Sequence, residues 1–210
     1  MIRHRTALML GGAALAGTAL VGVYVVRARR NPSACPYEQS VVLELPRPFF
    51  TRARLREILA PSPGERVLEV GPGRGYYALA VARWLLPGGT LDLLDLQPDM
   101  LRVTMRRATE QTISNIVPTH GDAQALPYAD GAFDAAYLVA TLGEAPDTDA
   151  VLHEVRRVLK PGGRLVVGEG APDPHMVPFA TLYARAEAAG LRFERRLGRN
   201  LGYFASFRVR

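Results

Sequence analysis

The order of residues predicts an α/β protein built on a doubly wound, seven-stranded sheet, mostly parallel with one antiparallel C-terminal strand. Three observations predict it. Short apolar runs alternate with stretches of helical periodicity from Thr51 to Ala189, the rhythm of parallel strands joined by helical crossovers. A glycine loop, Gly71-Pro-Gly-Arg-Gly75, stands between the first apolar run and a helix, where backbone can approach a ligand closely. After Ala189 two strand-like runs follow each other directly, parted by Gly198 and Gly202, which reads as a hairpin that breaks the parallel rhythm.

Taken in order, Thr51 to Leu59 has the spacing of a short amphipathic helix, stopped by Pro61 and Pro63. Arg66 to Val70 is a buried strand, and helical periodicity runs from Tyr76 to Leu86 before Pro87-Gly88-Gly89 ends it. Leu91 to Asp95 is the next strand, Pro98 to Thr109 a helix, Asn115 to Thr119 a third strand and Phe133 to Val139 a fourth. The helix from Thr148 to Leu159 closes on Lys160-Pro-Gly-Gly163, ahead of the strand Arg164 to Val167. A helix near Val177 to Ala189 precedes the hairpin runs Arg192 to Arg196 and Tyr203 to Val209.

With 210 residues and 48% hydrophobic content, the chain has room for one domain and an appendage. Five of its 26 basic residues (Arg3, Arg5, Arg27, Arg29 and Arg30) fall in the first thirty positions, which hold no Asp or Glu. The remainder is close to neutral, so charge does not call for a nucleic-acid groove. Arg192, Arg195, Arg196 and Arg199 read as a solvated strand-and-turn surface. A single cysteine, Cys35, rules out an internal disulfide, and no His/Cys spacing makes a zinc site.

Ala7 to Val26 carries no charge and has about the 20 residues needed to cross a hydrocarbon core of roughly 30 Å. A cleaved signal peptide is the rival reading; the arginines around Val26-Arg27-Ala28 argue for retention. The expected organisation is therefore a membrane-anchor helix in residues 1–30, a proline-bearing linker in 31–50 and a folded body in 51–210.

Five features mark a ligand site in that body. Glu69-Val-Gly71-Pro-Gly73-Arg-Gly75 has its third glycine one position too early for a nicotinamide-binding G-x-G-x-x-G loop, and Tyr76 sits where that loop needs a small residue. Asp95 ends the second strand, 20 positions after Gly75, where a carboxylate can accept from two ribose hydroxyls; Asp92 is the competing acid. Asp122, in Gly121-Asp-Ala-Gln-Ala-Leu-Pro127, follows the third strand and can accept from an adenine amino group. Asp130 to Asp134 leads into the central strand, and Leu159 to Gly163 precedes the strand that ends at Glu169.

In this order the motifs resemble those of the class I S-adenosylmethionine-dependent methyltransferases, within the broad group similar to the ubiquinone and menaquinone C-methyltransferases. The likeness runs from Val67 to Glu169. It implies a Rossmann-like sheet, S-adenosylmethionine as cofactor, Glu69, Gly71, Gly73 and Gly75 around its methionine portion, Asp95 on the ribose, and Asp122 with Ala123 at the adenine. A cofactor made in the cytosol implies a body facing the cytoplasm.

An acidic acceptor needs help in losing its proton, which makes His175 and Glu169 the candidate catalytic residues, both just past the carboxyl end of the last parallel strand. With little added mass to select a macromolecule, the expected acceptor is small, apolar or lipid-like, met at a membrane surface. A protein or RNA methyltransferase and a cofactor-binding but non-catalytic partner protein are the alternatives.

Overall fold

A computed structural model describes residues 31–44 and 50–210, with side chains for 31–40 and 50–210. Seven strands form one sheet: β1 (Arg66–Val70), β2 (Thr90–Asp95), β3 (Ile116–His120), β4 (Phe133–Val139), β5 (Leu159–Gly170), β6 (Leu191–Arg199) and β7 (Gly202–Val209). Their order is β3-β2-β1-β4-β5-β7-β6. Only β7 is reversed, pairing antiparallel with β5 on one side and β6 on the other. The helices are α1 (Arg52–Leu59), α2 (Ala78–Trp84), α3 (Pro98–Glu110), α4 (Thr148–Val158) and α5 (Phe179–Ala188).

The strands read as continuous apolar runs because both faces are covered. Val67, Leu91, Ala135 and Tyr137 pack beneath α1, α2 and α3, while Leu68, Leu94, Ala136 and Leu138 pack beneath α4 and α5. The helix ends follow from local chemistry. Thr51 caps α1 by accepting from Arg54 N, and Asp147 caps α4 by accepting from the N–H groups of Asp149 and Ala150. One element differs from expectation: β5 starts at Leu159 rather than Arg164, because Phe133 pairs with Leu159 and Ala135 with Arg164, and Lys160 to Gly163 bulge out between them.

Among the described residues no helix is long and apolar enough to cross a membrane. The expected single-pass, membrane-anchored placement is corrected on that ground, and the apolar stretch at 7–26 that prompted it lies outside the described residues.

Arg157 on α4 ties the Asp122–Pro127 turn to the body. Its guanidinium donates to the carbonyls of Leu126 and Tyr128 and to the carboxylates of Asp130 and Glu154, and Glu154 in turn accepts from Leu126 N. Removing it leaves two carbonyls and two carboxylates to find water. Arg157→Ala should lower the unfolding free energy by about 1–3 kcal/mol, the scale of charge-assisted hydrogen bonds. Urea denaturation checks this, and a loss below about 0.5 kcal/mol would return the cluster to the level of a surface ion pair.

Candidate cofactor cleft

Between β1 and β4 the strand order reverses, the place where open α/β sheets bind ligands. A cleft of about 560 Å³ opens there, lined by the loops that follow β1, β2, β3 and β4. Gly71, Gly73 and Gly75 adopt positive φ of 70°, 53° and 81°, a region that side chains rarely enter. Gly71 N donates to Leu94 O and Gly75 N to Pro72 O, at 2.8 and 3.0 Å, so the loop is folded back against the end of β2. A Cβ on Gly71 would overlap the side chain of Thr141 from the β4 side. The glycine is what lets the two loops meet.

Asp95 is 6% exposed at the end of β2 and reaches the loop. Its carboxylate accepts from Gly73 N at 3.3 Å and from Gln97 N at 2.9 Å. Burial pushes its pKa up, partly offset by those two bonds. Asp92 serves elsewhere. It is 1% exposed and holds Arg66 in a two-pronged ion pair at 2.7 and 3.0 Å on the lower part of the sheet. Asp92 is thus engaged away from the cleft, which Asp95 lines. Asp122 is exposed on the cleft wall beside Ala123, its Oδ1 accepting from Gln124 N at 2.9 Å in an Asx-type turn.

Glu69 lies under the glycine loop rather than in the cleft wall. It is 2% exposed, opposite Tyr137 in the β1–β4 register, and accepts from the Tyr137 hydroxyl at 2.6 Å. Burial pushes its carboxyl up to about 8, against the lowering effect of the tyrosine bond, and Asp95 adds repulsion.

The two residues expected on the acceptor side also stand behind the wall. Glu169 is fully buried at the end of β5 and accepts from Val177 N at 3.0 Å; burial raises its pKa well above the ordinary value, and Asp173 and Glu144 raise it further. His175 has a side chain 11% exposed, with Nδ1 3.7 Å from Asp173. Its Nε2 is buried without a hydrogen-bond partner among the described residues. Neither residue lines the cleft.

Two features of the cleft carry no motif in the sequence. Glu144, in the 3₁₀ turn Leu142–Glu144 after β4, lines the cleft and accepts from Cys35 N at 3.3 Å. The only signal for it is an acid following the carboxyl end of a central strand. The other is the segment Ala34–Ser40, whose Ala34 and Cys35 line the cleft where proline spacing predicts a linker. Gln97 clamps it through Tyr37 N→Oε1 at 3.1 Å and Nε2→Cys35 O at 2.9 Å, and Arg74 donates to the buried Ser40 hydroxyl.

A doubly wound sheet with one reversed strand near its edge, a glycine loop after β1 and an acid ending β2 are the features of the Rossmann-like methyltransferase fold. The model of the ubiE/COQ5 methyltransferase family matches residues 42–186, and the chain belongs to that family. A demethylmenaquinone methyltransferase of Tropheryma whipplei is 35% identical over 164 residues, 76% of this chain and 65% of its own length. Another, from a Geobacillus species, is 33% identical over 120 residues, 57% of this chain and 51% of its own. The chain thus spans between about half and two thirds of the length of these relatives. A solved SAM-dependent methyltransferase from Aquifex aeolicus shares the fold, with a TM-score of 0.77 at 19% identity over 84% of this chain and 100% of that one. A solved cyclase shares it too, with a TM-score of 0.67 at 22% identity over 75% of this chain and 79% of that one.

Two outcomes follow from this geometry. Gly71→Ala combines a positive-φ cost with a collision, so it should destabilise the protein by roughly 1–3 kcal/mol. Adding Thr141→Gly should recover part of that loss and leave the φ cost, giving a non-zero coupling in a double-mutant cycle. Strict additivity would mean that Thr141 yields freely. The second concerns pH. Glu69 has a raised folded-state pKa, so the folded chain holds its proton more tightly than the unfolded chain does. The resulting stability is present below the ordinary glutamate value of about 4.3 and is lost as pH rises towards about 8. Glu69→Gln keeps an oxygen for Tyr137 and has no charge to bury. It should flatten the fall in urea midpoint across that window, and an unchanged slope would show that Glu69 ionises freely.

Proposed function

We propose that this protein transfers the methyl group of S-adenosylmethionine to a small, apolar, aromatic acceptor of the hydroquinone type, using residues 51–210 as its methyltransferase domain. One observation carries the reading: the glycine loop and Asp95 meet at the switch point of a sheet with the strand order of this class. The cleft also fits the cofactor. Its volume of about 560 Å³ lies within the roughly 300–1,000 Å³ usual for small-molecule sites. The aromatic acceptor is supported by relatives named as demethylmenaquinone methyltransferases.

When bound, the sulfonium cofactor supplies an already activated methyl group. The chain then has to bind, orient and exclude water. Gly71, Gly73 and Gly75 present bare backbone to the methionine portion, and Glu69 supports that loop from beneath. Asp95 exchanges its long bond to Gly73 N for the ribose hydroxyls, while Asp122 and Ala123 form the adenine wall. His175 and Glu169 act on the acceptor side as positioning residues: their loop and strand end back the Leu142–Glu144 turn, where the His175 carbonyl fills the space a side chain on Gly143 would need. Ala34 and Cys35 line the cleft.

Calorimetry with the full chain should show binding of S-adenosylmethionine and S-adenosylhomocysteine without competition from NAD. Asp95→Ala should weaken both ligands roughly tenfold to hundredfold, about 1–3 kcal/mol for hydrogen bonds to a charged group. Tight NAD binding with none for the sulfonium cofactor would overturn the assignment. Transfer of labelled methyl to RNA or protein, and not to hydroquinones, would move the acceptor to those classes.

A further inference from the structure

The reading of the cleft as a methyl-transfer site leaves one step unassigned: where the acceptor's proton goes. The strand order narrows the choice. Asp95 fixes the ribose end at β2 and the glycine loop lies over β1, so a ligand stretched from one to the other directs its far end to β4, the next strand. The chain after β4 lines that end from Ala140 to Ala145, and Glu144 is its one ionisable side chain there. Ala145 beside it is half-buried, and the buried Leu142 and Val151 stand behind this part of the lining.

Glu144 is also held in place. Gly143 packs directly against the His175 backbone, where any side chain would collide with the carbonyl, and this pins the turn that carries Glu144. One carboxylate oxygen accepts from Cys35 N. The other is engaged by no described residue.

We infer that Glu144 is the catalytic base of this cleft, taking the hydroxyl proton of a hydroquinone-type acceptor as its ring carbon receives the methyl group. The balance closes. The O–H proton passes to the Glu144 carboxylate, and the oxygen electrons move into the ring. The ring carbon bonds to the methyl carbon, whose bond to sulfur breaks with the electron pair left on sulfur. The same ring carbon then loses its hydrogen as a proton to restore the aromatic ring, and the oxygen regains a proton. One proton is released overall, and neither oxidant nor reductant is needed.

The electrostatics suit that role. The charged groups that face Glu144 are Asp173 in the loop after β5, Asp95 at the end of β2 and Glu169 at the end of β5; His175 belongs to the Asp173 loop. Burial first, then Asp173 and Asp95, push the Glu144 carboxyl up to about 8, opposed by the Cys35 N–H bond. A phenolic hydroxyl titrates near 10 and an ordinary glutamate near 4.3. Glu144 thus lies about two pH units below its donor rather than about six, which brings it close to the matched affinity that general-base catalysis needs.

The test uses the full chain, labelled S-adenosylmethionine and a short-chain demethylmenaquinol kept reduced. For the wild type, kcat/KM should rise with pH through an inflection near 8, because the carboxylate form is the one that acts. Glu144→Gln should keep its affinity for S-adenosylhomocysteine within about twofold, lose at least about 100-fold in transfer, and lose that inflection. Glu144→Asp should recover part of the rate and restore an inflection, which separates loss of the base from loss of the fold. Unchanged turnover in the glutamine variant, or a parallel loss of homocysteine-ligand affinity, would overturn the assignment. A wild type that binds the homocysteine ligand yet never methylates the quinol would overturn it as well, leaving the cofactor reading standing. Absence of any such binding would instead bring down the methyltransferase reading itself.

Discussion

The structure has to accommodate buried carboxyl groups at the carboxyl ends of neighbouring strands. Glu69, Asp95, Glu144 and Glu169 all have pKa values raised first by desolvation, and they repel one another in pairs: Glu69 with Asp95, Asp95 with Glu144, Glu144 with Glu169. None of the four has an ion-pair partner among the described residues. Each is stabilised instead by hydrogen bonds from Tyr137, from Gly73 and Gln97, from Cys35, and from Val177. An unpaired buried carboxylate costs enough that it keeps its proton or finds donors. Here donors and protonation share the cost. Such a group of acids opposes folding, and its concentration around one cleft is the pattern that active sites show.

The rest of the fold supplies rigidity to this region. Ion pairs that serve structure lie away from it, as with Arg66–Asp92, Arg164–Glu65 and Lys160–Asp134 near the amino ends of the strands. At the carboxyl ends, contact is made by backbone. Gly71 meets Thr141, Gly75 meets Thr104, and Gly143 meets His175, so three loops from different strands touch where side chains would have kept them apart. A shift in any one of them moves the cleft wall.

Much of this was legible in the sequence because periodicity and punctuation are local. The bounds of β1 and β4 follow directly from the apolar runs Arg66–Val70 and Phe133–Val139, and the reversed β7 follows from the glycine-bounded hairpin. That Asp95 ends β2 was legible from the mostly apolar run at 91–94 before it. What escaped depends on tertiary contacts. Lys160-Pro-Gly-Gly163 looks like a boundary and is a bulge inside β5, because pairing with β4 resumes on both sides of it. Residues 34–40 look like a spacer, yet Ala34 and Cys35 line the cleft and a glutamine from another element holds the segment there. Side-chain depth was not legible either: Glu69, Glu169 and His175 all come near the site, yet one layer behind its surface.

The distinction between fold and reaction falls at the β4 side of the cleft. The same sheet carries a methyltransferase from Aquifex aeolicus and a cyclase, so the strand order specifies where a ligand lies and leaves the chemistry to the loops. In this chain one side of the cleft is built from the glycine loop after β1 and the Asp95 carboxylate ending β2. The opposite side of the cleft is built from the turn after β4 together with Ala34 and Cys35. That turn places an acid of raised proton affinity among apolar side chains, with one oxygen fixed by Cys35 N and the other left unengaged. A group so placed has no structural partner to serve on its open side. Burial and the neighbouring acids raise its proton affinity, and it is these residues after β4, more than the glycine loop, that distinguish one side of the cleft from the other.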